Sequence, residues 1–157
     1  MKRGAIGLSM ATVLLGGLSV AAAAPAPGQG EGDVSAAAVQ TFRNEATGKC
    51  LDDSHQYGTR GYTCNGGIWQ EWEVTRWGDN TRQLKSRATG QCLVNTSNND
   101  AQTYTCDKSR QQSWFVDRWN DGTIRFRNQA TGRCLDHSNS YGLRTYICNT
   151  TEWQSWY

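Results

Sequence analysis

After residue 40 the apolar side chains fall in short runs separated by glycine, asparagine and serine, and no stretch sustains a helical period. The runs read as strands. In the first stretch they cover roughly Gln40–Glu45, Cys50–Asp53, Gly61–Cys64 and Glu71–Arg76, divided by Ala46-Thr47-Gly48, Tyr57-Gly58 and Asn65-Gly66-Gly67, whose glycines and asparagines tolerate positive φ. The pattern then returns twice at an interval of 42 residues, giving repeats 42–83, 84–125 and 126–157 and twelve strands in all. Leu51, Leu93 and Leu135 keep that interval, and so do Trp72, Trp114 and Trp156 in the tripeptides Gln70-Glu71-Trp72, Gln112-Ser113-Trp114 and Gln154-Ser155-Trp156. These six are expected to point inward, each buried indole N–H needing a partner. A unit this short cannot bury its apolar face alone, so the three copies must close around one core.

The first 24 residues do not share the pattern. Lys2 and Arg3 precede an apolar run from Ala5 to Val20, and Ala21–Ala24 supply the small residues of a signal-peptide cleavage site. The run is short and interrupted by Gly7, Gly16 and Gly17, so export is expected rather than a retained anchor. Residues 25–38 are rich in Ala, Pro and Gly and read as a disordered spacer, leaving 39–157 as one domain. The net charge of +2 falls to zero once Lys2 and Arg3 are set aside. With no basic run, neither nucleic acid nor membrane insertion is expected.

Six cysteines in an exported chain form a disulfide framework. They allow 15 connectivities, but three like units, each with two cysteines 14 apart, favour Cys50–Cys64, Cys92–Cys106 and Cys134–Cys148. Each closure should contribute about 3 kcal/mol. C-x13-C is not a zinc spacing, so no metal and no cofactor is expected.

If a Cys50–Cys64 bridge fixes the register of the hairpin, Asp52 faces Tyr62 and Ser54 faces Arg60, with Tyr57-Gly58 at the tip. Asp52 and Tyr62 then share the face opposite to Leu51 and stand on the outer surface, about 5 Å apart at Cβ. The third unit repeats this with Asp136 against Tyr146, Ser138 against Arg144 and Tyr141-Gly142 at the tip. The second unit has Val94 against Tyr104, Thr96 against Gln102 and Asn99-Asp100 at the tip. Five positions thus change together as Asp/Val/Asp, Tyr/Asn/Tyr, Gly/Asp/Gly, Arg/Gln/Arg and, before each Q-x-W, Trp69/Gln111/Trp153. Such a block marks either one physical site kept in units one and three, or a more recent common descent of those units, which would also produce Asn44/Asn128 and Asn65/Asn149.

A carboxylate that accepts from vicinal hydroxyls, beside a ring offering its face to C–H groups, is the chemistry of a pyranose site. The candidate set is Asp52, Tyr57, Arg60, Tyr62, Trp69 and Gln70 in unit one, and Asp136, Tyr141, Arg144, Tyr146, Trp153 and Gln154 in unit three. Arg60 and Arg144 either orient the carboxylate, add a donor to the ligand, or are solvated hairpin charges.

Three four-stranded units closing a six-stranded barrel capped by three hairpins make a β-trefoil. The A-T-G-K-C-L-D-D-S segment, Y-G-x-R and the closing W-Q-S-W-Y, with three Q-x-W copies over Thr41–Tyr157, resemble the small secreted bacterial members of the ricin B-type lectins. The resemblance implies a β-trefoil whose sugar-reading acid lies two residues after the first cysteine and whose stacking aromatic lies two before the second. Where the galactose pattern often has Asn before Q-x-W, this chain has Trp69 and Trp153, which either wall the site or pack beneath the hairpin.

A secreted, extracellular and monomeric lectin is therefore expected, with two sites for galactose-type or related pyranosides and the capacity to agglutinate. No enzyme is expected. Asp52 and Asp53 face opposite ways, Asp52 and Asp136 lie on separate lobes, and no Ser-His-Asp set or phosphate-binding glycine loop occurs. The alternatives are a trefoil protease inhibitor, or the non-covalent targeting subunit of a toxin or glycoside hydrolase.

Overall fold

The computed structural model describes residues 37–157; the expected export segment and residues 25–36 of the expected spacer lie outside them. The described residues form eleven strands. They are β1 (Ala38–Gln40), β2 (Lys49–Ser54), β3 (Gly58–Thr63), β4 (Trp72–Arg76), β5 (Arg82–Ser86), β6 (Cys92–Asn95), β7 (Ala101–Tyr104), β8 (Trp114–Arg118), β9 (Ile124–Asn128), β10 (Cys134–Ser138) and β11 (Gly142–Tyr146). The expected first strand begins two residues early, at Ala38, and Arg43 and Asn44 take part only in isolated bridges. The twelfth strand is likewise reduced to Trp156, which bridges Asn44 and Ile124.

The first and last described segments join the same barrel. β1 runs antiparallel to β4, and Arg43 and Tyr157 exchange two backbone hydrogen bonds of 3.1 and 2.9 Å. The fold is a β-trefoil, and the expected three disulfides are all formed.

The core repeats with the sequence interval. Phe42, Leu84 and Phe126 form one buried triplet, Leu51, Leu93 and Leu135 a second, and Trp72, Trp114 and Trp156 a third. Each indole Nε1–H donates to the carbonyl of its own lobe's leucine: Trp72 to Leu51 at 3.0 Å, Trp114 to Leu93 at 3.0 Å and Trp156 to Leu135 at 3.2 Å. The bond ties the fourth strand of each lobe to its hairpin, and thereby sets where the hairpin stands on the barrel.

A second set of triplets joins one lobe to the next. Asp53, Asn95 and His137 occupy equivalent positions and each is buried. Asp53 accepts from Thr59 at 3.0 Å, from Thr103 at 2.9 Å and from Thr89. Asn95 binds Thr131 and accepts from Thr145 at 2.9 Å. His137 meets Thr47 at 2.8 Å through Nδ1, and its ring fills the space above Gly61, where a Cβ would come within 2.1 Å of Nε2. Three different residues thus solve one packing problem at the lobe junctions.

Candidate functional site

The hairpin register differs from expectation by two residues. Asp52 stands opposite Arg60, and Tyr62 stands opposite Cys50. In the third lobe Asp136 faces Arg144 and Tyr146 faces Cys134; in the second, Val94 faces Gln102 and Tyr104 faces Cys92. The turn is the cause. β2 and β3 are joined by only His55, Gln56 and Tyr57, with Gly58 at φ 65° and Ser54 Oγ accepting the Tyr57 N–H at 3.1 Å. A three-residue loop followed by a left-handed residue pulls the strands two positions tighter than a five-residue tip would. The disulfide then joins diagonal neighbours, with Cα atoms 5.1 Å apart. A shift of two leaves every side chain on its expected face.

The structure also corrects the expected exposure of the acids. Asp52 and Asp136 are each only 2% exposed and do not stand on the outer surface. Arg60 closes over the first and donates through Nε to Asp52 Oδ1 at 3.0 Å, while Gln70 donates through Nε2 to Oδ2 at 3.2 Å. A buried carboxylate requires such partners. Gln70 is itself buried and held by two further bonds, to Thr63 O at 2.9 Å and from the Asn65 N–H at 2.9 Å. Lobe three matches atom for atom: Arg144 Nε to Asp136 Oδ1 at 2.9 Å, and Gln154 Nε2 to Oδ2 at 3.3 Å.

The glutamines are delivered by a feature the strand pattern did not signal. Single 3-10 turns at Ile68–Gln70, Arg110–Gln112 and Glu152–Gln154 turn the glutamine inward and leave the preceding residue outside. Trp69 and Trp153 are accordingly 40% and 38% exposed, and they do not pack beneath the hairpin.

Each arginine is also gripped by two phenol rings. The Arg60 guanidinium lies 4.4 Å from the Tyr57 ring centroid and 4.1 Å from that of Tyr62; Arg144 lies 4.3 Å from Tyr141 and 4.4 Å from Tyr146. Of the alternatives for these arginines, solvated charge is thereby removed. With Nε committed to aspartate, Nη1 and Nη2 have no hydrogen-bond partner among the described residues. In lobe one Arg60 lines a cavity of about 260 Å³ together with Asp52, Tyr57, Tyr62 and Trp69, joined by Asn65, which the repeats share only between units one and three, and by His55 and Gln56, which the repeat comparison did not single out. His55 and Gln56 become Asn139 and Ser140 in lobe three, so the lesson of the block, which sought sameness, hid them.

Lobe two keeps the frame without the charges. Gln112 still donates to Thr105 O at 2.9 Å and accepts from Asp107 N at 2.9 Å, but Val94 gives it no carboxylate, and Gln102 pairs with Tyr104 OH at 3.2 Å. Its tip turns at Asn99, φ 66°, one position earlier than Gly58. Among the described residues no group of acids, histidines or cysteines could hold a metal ion, and no helix is long and apolar enough to cross a membrane.

The chain belongs to the ricin-type β-trefoil lectin domain-like family, which matches residues 32–103 and 68–145. Members of this family are carbohydrate-binding modules. Among solved structures, a designed threefold-symmetric protein, ThreeFoil, superposes with a TM-score of 0.69 at 21% identity, covering 75% of this chain and 95% of that one. The Macrolepiota procera ricin B-like lectin, solved in complex with lactose, gives 0.65 at 19% identity over 78% and 95%. A mosquitocidal holotoxin gives 0.69 at 20% identity over 76% of this chain, which spans only 17% of the toxin. No curated protein sequence matches.

Proposed function

We propose that this is a secreted lectin with two sugar sites, one on lobe one and one on lobe three, read by an arginine that a buried aspartate holds in place. The observation that carries the reading is the Asp–Arg–Gln relay with its two tyrosines, present at Asp52 and Asp136 and absent at Val94. Asp52 orients Arg60, whose Nη groups donate to ring and hydroxyl oxygens of a galactose-type or related pyranoside, and the outer faces of Tyr57, Tyr62 and Trp69 receive its C–H side. Gln70 and Gln154 position the acid and do not touch ligand.

Each site alone binds weakly, since few atoms are engaged. Two sites on one rigid domain raise avidity for a glycan surface by about 10²-fold or more, which makes agglutination the expected activity. Export is supported by the apolar run from Ala5 to Val20 and by the three disulfides, which persist in oxidising compartments. The likeness to a trefoil inside a holotoxin favours a second reading, in which the domain carries a separate partner to a glycan surface. A glycan array with the oxidised protein tests the proposal: binding to a pyranoside class supports it, and silence across all classes rejects it.

A further inference from the structure

The end of the barrel away from the hairpins holds a feature outside the two proposed hairpin sites. Along β4, Trp72, Val74 and Arg76 share one face; along β8, Trp114, Val116 and Arg118 do the same; along β5, Leu84 and Arg82 do. Since the tryptophans and Leu84 are fully buried in the barrel, the three arginines continue its inward face and converge at its mouth. They line a cavity of about 290 Å³ that Val74, Val116 and Phe126 floor.

Their arrangement breaks a rule of sheet design. Arg76 and Arg82 are directly opposed in the β4–β5 ladder, and like charges so placed destabilise a sheet. None of the three takes part in an ion pair among the described residues. The turn carboxylates Asp79 and Asp121 are instead bound by Thr81 and Thr123. Arg76 and Arg82 hold to Asn80 Oδ1 at 2.8 Å and Asn80 O at 3.1 Å, while the Arg118 side chain makes no hydrogen bond among the described residues. Burial, and after it the charges of Arg76 and Arg118, press the Arg82 guanidinium below its ordinary value.

The geometry points to an anion site at the barrel mouth, in which Arg76, Arg82 and Arg118 bind a tetrahedral oxyanion, a phosphate or sulfate group, over an apolar floor. The planar forks match such oxygens, and an anion between them offsets the repulsion of the opposed arginines. The floor leaves room for a small apolar or sugar body attached to the anionic group.

The test uses the whole oxidised protein titrated with inorganic phosphate against sodium chloride of equal ionic strength, followed by melting temperature and by the arginine Nε–Hε NMR signals. A saturable rise in melting temperature with shifts of the Arg76, Arg82 and Arg118 signals is expected. R118Q, chosen because that side chain supports no other bond, should stay folded and weaken phosphate binding about tenfold. R60Q/R144Q should leave the phosphate response intact, which separates this site from the sugar sites. Glucose 6-phosphate and glucose form the second arm. A stronger response to the ester than to phosphate assigns the group to a phosphorylated sugar, and an equal response assigns a free anion. No saturable response in the natural protein, or an unchanged one in R118Q, overturns the proposal.

Discussion

Arg60 donates through Nε to Asp52 at 3.0 Å, and Arg144 repeats the bond to Asp136 at 2.9 Å in the third lobe. The acid is buried and the base is not. In the proposed sites that asymmetry makes the aspartate the holder of the arginine that would read ligand, and it makes the two lobes separately testable.

Loss of one reader should cost valency before it costs recognition. R60Q or R144Q alone leaves a protein that binds a glycan column at roughly half capacity but fails to agglutinate cells, because the intramolecular second contact worth about 10²-fold is gone. Haemagglutination titre and column capacity, measured on the same preparations, check this.

Lobe two should accept a transplanted site. V94D alone buries an unpaired charge and should lower stability by about 3 kcal/mol or more. V94D/Q102R should recover most of that loss, since Gln112 already stands where Gln70 and Gln154 stand. Denaturant midpoints of the three proteins give the comparison.

The lobe junction offers a sharper coupling. G61T drives a side chain into the His137 ring and should cost at least about 2 kcal/mol. In G61T/H137N the asparagine and threonine reproduce the Asn95–Thr145 pair of the neighbouring junction, so the double variant should be more stable than G61T. A double-mutant cycle in urea reads the non-additivity directly.

Acid should loosen the same junction. Burial lowers the His137 value, Asp136 opposes that and Lys49 adds to it. The folded protein therefore takes up this proton less readily than the unfolded chain. The stability involved is complete above the unfolded value of about 6.5 and is lost as pH falls below it toward the folded value, because protonation then favours unfolding. Melting temperature should fall more steeply from about pH 7 to 5 in the natural protein than in H137N.

Most of the fold was legible because it is written in triplicate. An unbroken 42-residue interval favours the cysteine pairing that the structure shows, and Trp72, Trp114 and Trp156 identify the core without knowledge of any contact. Phe42, Leu84 and Phe126 keep the same interval but change residue type, which hides them from a search for identity. The sequence grouped side chains that the fold does bring together, but in a different arrangement. Register depended on whether the tip took three residues or five, and the burial of Asp52 depended on Arg60 folding back between two rings, which no spacing encodes. The column Asp53, Asn95, His137 carried a usable signal, three polar residues at one inward-leaning position, but their differing chemistry concealed a shared role.

The number of sugar sites per chain is the quantity on which the account turns. Isothermal titration of the oxidised protein with the best monosaccharide from a glycan array should give two equivalents for the natural chain, one for R60Q, one for R144Q and no measurable binding for R60Q/R144Q, with all four folded by near-ultraviolet circular dichroism. Two equivalents in the double variant would contradict it.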